Sequence, residues 1–178
     1  MSFMIPEKDW FKAPDKGEKS WIAIGFIWCL VLFFSMPIWH IYGKQNSSSE
    51  SYRVKPEDFS ARVMKFVETN SIGKDGNTPI VQPKPGGHAY VMGGGYIWYP
   101  ILKLKKGNEY ILHISSTDYQ HGFSLQGEAG INMNFQILPG YDHVLKITPT
   151  TSGTFNIVCN EFCGARHHVM TGKILVED

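Results

Sequence analysis

Residues 153–177 read GTFNIVCNEFCGARHHVMTGKILVE, and this stretch decides the fold. Residues 154–158 and 172–177 are short runs of β-forming side chains bounded by glycine, which is typical of strands. The loop between them contains two cysteines, two histidines, a glutamate and a methionine. The end of the chain is therefore predicted to be two strands that hold a loop dense in metal-type ligands.

Short strands separated by turns extend upstream from this loop. Residues 131–137, INMNFQI, alternate apolar and polar side chains with a period of two, which predicts a half-buried strand. Further strands are predicted at 88–92, at 97–104 with Pro100 at an edge or bulge, at 109–115 and at 143–148. Roughly seven short strands within about ninety residues indicate a mainly β fold, a Greek-key β-sandwich.

The N-terminal part has a different pattern. Residues 21–43 contain no Asp, Glu, Lys or Arg, and residues 22–39 are apolar except for Ser35. About 20 apolar residues in a helix cross a hydrocarbon layer, so a transmembrane helix is predicted at 21–43. A cleaved signal peptide fits poorly, because the polar stretch before the run is long and no small-residue cleavage site follows it. More lysines precede the helix than closely follow it, which favours a cytoplasmic N-terminal tail at 1–20.

Residues 44–86 are predicted to be a linker with one short amphipathic helix. Pro56, Glu57 and Asp58 suit a first helical turn, and the apolar side chains from Phe59 to Val67 fall on one stripe. Residues 71–87 are rich in glycine and proline and are predicted to be loop. The remaining segment, 87–178, is predicted to be the β domain.

Composition limits the function classes. Lysine plus arginine is 17 and aspartate plus glutamate is 16, so the net charge is +1 and a nucleic-acid partner is not expected. Three cysteines cannot all pair with one another. His40, His88, His113 and His143 have no ligand-spaced partners in the sequence, and we expect them to be exposed or hydrogen-bonded rather than sites.

Several chemistries suit the loop at 159–170. Cys159, Cys163 and two histidines could form a structural zinc site, and the two cysteines could form a disulfide. A copper-delivery protein with two cysteines spaced in this way would need alternating helices and strands. Thiolate, thioether and imidazole together suit copper, and a mononuclear blue-copper site would use one thiolate. The second thiolate could instead bridge two copper ions.

The string Cys159-x-Glu161-x-Cys163-Gly164-x-x-His167-x-x-Met170, preceded by His121, resembles the binuclear CuA signature of subunit II of haem–copper oxidases. Residues 118–123 and 132–140 resemble the same family, and the likeness covers about 96–177 and the single membrane helix. A single helix and the order His-Gly-Phe at His121 resemble the B-type (ba-type) branch. The resemblance implies a cupredoxin-like fold.

The resemblance also implies a role for each ligand. Cys159 and Cys163 would bridge two coppers, and His121 and His167 would be terminal ligands. Met170 would be the weak axial ligand of one copper, and the Glu161 backbone carbonyl would bind the other. In many relatives this glutamate also contacts a magnesium ion at the subunit interface. The adjacent His168 is expected to support the site from outside the ligand set or to lie on the surface.

The implied function is electron transfer in a terminal oxidase. CuA would accept electrons from cytochrome c and pass them to haem in the catalytic subunit I, where oxygen is reduced and protons are pumped. The copper domain would lie on the extracytoplasmic side of a bacterial or archaeal plasma membrane, anchored in lipid by one helix. The alternatives are the CuA subunit of a haem–copper nitric oxide reductase and a membrane-tethered copper- or zinc-binding protein.

Overall fold

A computed structural model of the chain describes residue 8 and residues 12–43, 50–127 and 132–178. Half of the predicted tail at 1–20, the first residues of the predicted linker and Ile131 lie outside these ranges. The chain divides into two compact units, residues 1–45 and 46–178, which are considered separately below.

The first unit contains helix α1, Lys16–Tyr42. It begins earlier than the apolar run because Asp15 and Glu18 form a capping box, in which the Asp15 carboxylate accepts from the Glu18 N–H and the Glu18 carboxylate accepts from the Asp15 N–H. The helix has a mean hydropathy of 2.2 over its most apolar window, and it buries no residue. Among the described residues it is the one helix long and apolar enough to cross a membrane.

The second unit is a sandwich of two sheets. The five-stranded sheet has the order β1-β10-β7-β4-β5, comprising Glu50–Arg53, Tyr141–Ile147, Tyr110–Ser116, His88–Gly94 and Ile97–Tyr99. The seven-stranded sheet has the order β2-β3-β6-β12-β11-β8-β9, comprising Ser71–Asp75, Thr78–Val81, Ile101–Lys105, Thr171–Glu177, Gly153–Cys159, His121–Gln126 and Asn132–Ile137. The mainly β architecture predicted from the sequence is confirmed.

The core lies between the sheets and follows the period of two along each strand. On β7, the side chains of Tyr110, Leu112 and Ile114 are fully buried and alternate with more exposed neighbours. Phe123 and Ile157, on the seven-stranded sheet, are fully buried and belong to the same core. The strands that carry the metal-type ligands are thus fixed by an apolar core.

Helix α2, Pro56–Asn70, is the helix predicted in the linker. Proline stands in its first turn, and its buried stripe of Phe59, Val63 and Phe66 packs on the domain. The rings of Phe59 and Phe66 lie 6.2 and 5.5 Å from the ring of Tyr90 on β4.

The prediction of loop over residues 71–87 is wrong in part, because this segment contains β2 and β3. The two strands form a hairpin around Gly76, whose φ of 59° suits a residue without a Cβ. β3 then pairs in parallel with β6, and Val81 is fully buried. β1 lies in the predicted linker as well and pairs with β10. The β1–β10 and β3–β6 pairings join residues distant in sequence, so the local glycine and proline content does not reveal these strands.

Two strand predictions also need correction. The strand predicted at 97–104 is two strands in different sheets, because Pro100 has no N–H for a ladder and the chain changes sheet there. No strand was predicted at His121, but His121 is the first residue of β8. Residues 121–126, HGFSLQ, show no alternation because five of the six residues are buried.

Replacing Phe59 by alanine tests the packing of α2 on the domain. Removal of this fully buried ring should lower the free energy of unfolding by about 3–5 kcal/mol. Met64→Ala on the same helix is the matched control, because Met64 is 48% exposed, and it should change the value by less than about 1 kcal/mol. Denaturant unfolding of the full chain in detergent measures both. Equal effects of the two substitutions would contradict the packing described.

Candidate metal centre

The pairing of β8 with β11 brings the first predicted ligand to the loop. The strands are antiparallel, with Cys159 opposite Phe123, so His121 at the start of β8 lies beside the end of β11. The loop 160–170 leaves β11, forms a short 3-10 helix at His167–Val169 and returns as β12. The Cys159 N–H donates to the Met170 carbonyl, which closes the loop at its base.

All six predicted ligands lie close together where this loop meets the start of β8. The two cysteine Sγ atoms lie 3.7 Å apart. His121 Nδ1 lies 3.8 Å from Cys159 Sγ, and His167 Nδ1 lies 3.8 Å from Cys163 Sγ. Met170 Sδ lies 3.9 Å from Cys163 Sγ, and the Glu161 carbonyl oxygen lies 3.2 Å from Cys159 Sγ. Each thiol therefore has one imidazole and one weaker donor beside it.

The group is buried and the cysteines are not bridged. His121 is fully buried, Met170 is 1% exposed, and Cys159 and Cys163 are also buried. The Sγ–Sγ distance is far longer than a disulfide bond of about 2.0 Å, so the structure does not form the disulfide considered from the sequence. One ligand atom each from His121, Cys159 and Cys163 lies within 4.8 Å of the others, which suits a metal ion.

Asp118 orients the His121 ring. Its carboxylate lies 2.7 Å from His121 Nε2 and also accepts from the Gly95 and Tyr119 N–H groups. Burial acts to raise the pKa of Asp118, but the hydrogen bonds from His121 and from these backbone groups outweigh it and hold the pKa below its ordinary value. The proton on Nε2 leaves Nδ1 as the lone-pair nitrogen, and Nδ1 is the atom beside Cys159. The ligand set predicted from the sequence does not include Asp118.

Burial, together with the adjacent Cys159 thiol, raises the pKa of the Cys163 thiol to about 11. Two thiols in contact cannot both ionise at neutral pH without a cation between them. Metal binding must therefore displace protons from this pair, as it does at thiolate sites in general.

Gly122 allows the loop to pack against β8. A Cβ at this position would lie 1.9 Å from Asn160 Oδ1 and 2.8 Å from the Glu161 backbone nitrogen. The Asn160 N–H donates to the Gly122 carbonyl at 3.3 Å. Only glycine permits this approach, which sets the position of the Glu161 carbonyl beside Cys159.

Trp98 supports the other side of the centre. Its ring is 2% exposed and meets the rings of His121 and Phe123 edge-on at 5.9 and 5.3 Å. Trp98 on β5 therefore contributes to core packing. Tyr96 covers the loop, since its hydroxyl lies 2.5 Å from the point where a Gly164 Cβ would stand.

The outer side of the loop is open to solvent. Phe162 is 83% exposed, and its ring lies 5.8 Å from that of His167. His168 is exposed, which agrees with a position on the surface. The Glu161 carboxylate accepts from the Gln136 amide at 3.3 Å, so its side chain and its carbonyl have different surroundings.

The donor set fits copper better than structural zinc. Two thiols, two imidazoles and a thioether converge, and a thioether has no place in a four-ligand zinc site. The group can therefore bind a soft or borderline metal ion in a site that excludes water on its inner side.

Comparison with models of known protein families finds no match. A protein named cytochrome c oxidase subunit 2 from Thermus thermophilus is 32% identical to the chain over 101 residues, which are 56% of this chain and 73% of that protein. Among solved structures, a chain of a heme-copper terminal oxidase dimer superposes with a TM-score of 0.58 at 22% identity, covering 91% of this chain and all of that one. Rusticyanin from Thiobacillus ferrooxidans superposes with a TM-score of 0.53 at 16% identity, covering 73% of this chain and 99% of that one.

Fold and site together define a cupredoxin-like domain with a cysteine–histidine group that could bind a metal ion, preceded by an apolar helix that fits a single-pass membrane anchor. The predicted cupredoxin-like fold is confirmed. The chain belongs to the cytochrome c oxidase subunit 2 family, whose members are subunits of an oxidoreductase complex.

Gly122→Ala tests how the loop is positioned. The added methyl group must displace Asn160 and Glu161, so we expect copper binding to weaken about 10–100-fold, the range found when groups that position metal ligands are lost. Copper affinity is measured by competition with a chelator. Gly73→Ala is the matched control, since a Cβ there meets nothing within 4 Å. Wild-type affinity in Gly122→Ala would refute this role.

Proposed function

We propose that the chain is the electron-transfer subunit of a terminal haem–copper oxidase and that its six converging residues hold a binuclear copper centre, CuA. One observation carries the proposal. Two thiols 3.7 Å apart each have an imidazole nitrogen at 3.8 Å, with a thioether beside one and a carbonyl beside the other. A mononuclear site has no use for the second thiol, whereas a pair of metal ions uses both thiolates as bridges.

When bound, the copper pair supplies a one-electron carrier between cytochrome c and the haem of the catalytic subunit. The protein residues keep the geometry constant while charge changes. Cys159 ends a paired strand, His121 begins another, and Asp118 fixes the imidazole by its hydrogen bond. Ligands held on rigid strands need little rearrangement when an electron arrives or leaves.

Burial defines the inner side of the centre, and exposure defines its outer side. The cysteine sulfur atoms are buried and Trp98 packs against the His121 imidazole, whereas the imidazole of His167 lies beside the exposed ring of Phe162. This arrangement keeps water from the thiolates and leaves one imidazole near the surface for exchange with a redox partner.

The remaining parts of the proposal concern partners and location. A haem-containing subunit I would receive the electron, cytochrome c would donate it, and oxygen reduction with proton pumping would take place in subunit I. Helix α1 would anchor the chain in the plasma membrane of a bacterium or archaeon, with the copper domain on the periplasmic side. A magnesium ion at the Glu161 carboxylate and membership of the B-type branch stay predictions.

Cysteine and methionine substitutions test the copper assignment. Cys159→Ser and Cys163→Ser should each abolish the two-copper centre, because a hydroxyl cannot replace a bridging thiolate. Met170→Leu should keep most of the copper and shift the reduction potential, because a thioether is a weak axial ligand. Elemental analysis gives copper per chain, and redox titration gives the potential.

Cys29→Ser is the matched control, since this cysteine lies on α1 and is exposed there. It should retain both coppers. Two coppers per chain in Cys159→Ser would refute the bridging role, and complete copper loss in Met170→Leu would show that Met170 is not a weak ligand. One zinc per wild-type chain, with no copper, would instead identify a structural site.

The oxidase role is tested by the purified complex. Cytochrome c oxidation by the complete membrane enzyme should fall at least a hundredfold in Cys163→Ser while haem content stays at the wild-type level. Unchanged oxidation would refute electron transfer through this subunit. Turnover with nitric oxide and none with oxygen would identify a nitric oxide reductase.

A further inference from the structure

Three titratable side chains outside the metal centre form a continuous line across the five-stranded sheet. His113 Nδ1 on β7 lies 2.9 Å from Asp142 Oδ2 on β10, and His113 Nε2 lies 2.8 Å from His88 Nδ1 on β4. The line passes from buried to exposed, since Asp142 is 4% exposed, the His113 side chain is 12% exposed, and His88 is open to solvent.

Strand register explains why these residues meet. β4 runs parallel to β7 with Tyr90 opposite His113, and β10 runs antiparallel to β7 with Val144 opposite His113. His88 and Asp142 each lie two residues from these partners, so all three side chains project from one face of the sheet. The neighbours Leu112 and Ile114 are fully buried in the core, which places His113 on the outer face.

The hydrogen bonds determine the tautomer of each ring. An ionised carboxylate only accepts, so His113 Nδ1 carries a hydrogen and donates to Asp142. The neutral His113 ring then has a bare Nε2, which accepts from His88 Nδ1–H. The neutral His88 ring in turn presents its own bare Nε2, and this residue is exposed.

The geometry favours a shared proton over a shared metal. The two ring nitrogens are 2.8 Å apart and the two ring centroids are 5.0 Å apart. The centroid separation exceeds the nitrogen separation by about the width of one imidazole ring, so both nitrogens lie close to the line joining the centroids. Their lone pair and N–H therefore point at each other, whereas two ligands of one metal ion must point at a common position to the side of that line.

The surroundings of His113 suit a positive charge. The Tyr90 ring stacks on it at 4.5 Å and 14°, and an aromatic face attracts a cation. Other charged or titratable groups lie near the line. Arg62 on α2 interacts electrostatically with Tyr90. On β1, Tyr52 donates a hydrogen bond to the Glu50 carboxylate and lies opposite Asp142, and His143 is the next residue after Asp142 on β10. Carboxylate and aromatic face thus flank one imidazole.

We propose that Asp142, His113 and His88 form a proton relay that binds one proton from solvent and places its charge beside the buried carboxylate. A proton binds His88 Nε2, and the proton on His88 Nδ1 passes to His113 Nε2. The line gains one proton in total, His113 becomes the imidazolium, and His88 Nδ1 changes from donor to acceptor, so no hydrogen bond is lost. The reverse transfers release the proton.

Nuclear magnetic resonance of the full chain in detergent, labelled with nitrogen-15 at histidine and free of copper, tests the relay. At alkaline pH both rings should carry their hydrogen on Nδ1, and a coupling across the hydrogen bond should join His88 Nδ1 to His113 Nε2. On acidification the signals of both rings should change together over one pH interval. His88→Gln should abolish the coupling, and His143→Gln on the opposite face of β10 should leave it intact.

Three results would overturn the relay. The first is an Nε2–H tautomer of either ring at alkaline pH, and the second is separate titration of the two rings. The third is binding of one equivalent of Zn²⁺ by both rings with loss of the shared proton, since the cluster would then be a metal site. None of these results depends on copper, so the relay and the proposed electron-transfer function can fail independently.

Discussion

The structure depends on the antiparallel pairing of β8 with β11, which holds the buried His121 imidazole 3.8 Å from the thiol of Cys159. One member of this pair starts a strand and the other ends one, so the contact can form only when both strands are paired in register. Gly122 lets the following loop lie directly on β8, and that loop carries every other ligand. Sandwich packing therefore positions these side chains together, and a metal ion bound there would displace the thiol protons.

Burial and hydrogen bonding affect different ligands at this site. The apolar core excludes water from the sulfur atoms and raises the pKa of Cys163, which makes this thiol a weaker acid than usual. Asp118 acts on the far side of His121, where its hydrogen bond keeps the proton off the nitrogen that faces the sulfur. A cation between the thiols relieves the cost of ionising both, so metal affinity and fold stability are coupled.

The parts predicted from the sequence are those encoded by local spacing. The ligands in 159–170 are close in sequence, residues 132–137 alternate clearly, and the apolar run of α1 contains no charge, so each pattern was visible in one short window. The strands β1 and β3 were missed because they pair with β10 and β6 elsewhere in the chain, and β2 was missed because it pairs with β3 in a hairpin rich in glycine and proline. Asp118 was given no role at the site, although its place three residues before His121 is a signal that could have identified it. The contact of His88 with His113 follows from strand register alone, which no local pattern reveals.

Electron paramagnetic resonance of the copper-loaded full chain tests most directly whether the two cysteine sulfur atoms bridge a pair of coppers, as proposed. We expect one unpaired electron per chain shared equally by two copper nuclei, with the hyperfine pattern of both. A pattern from a single copper nucleus, or from two isolated copper ions, would contradict the bridged pair.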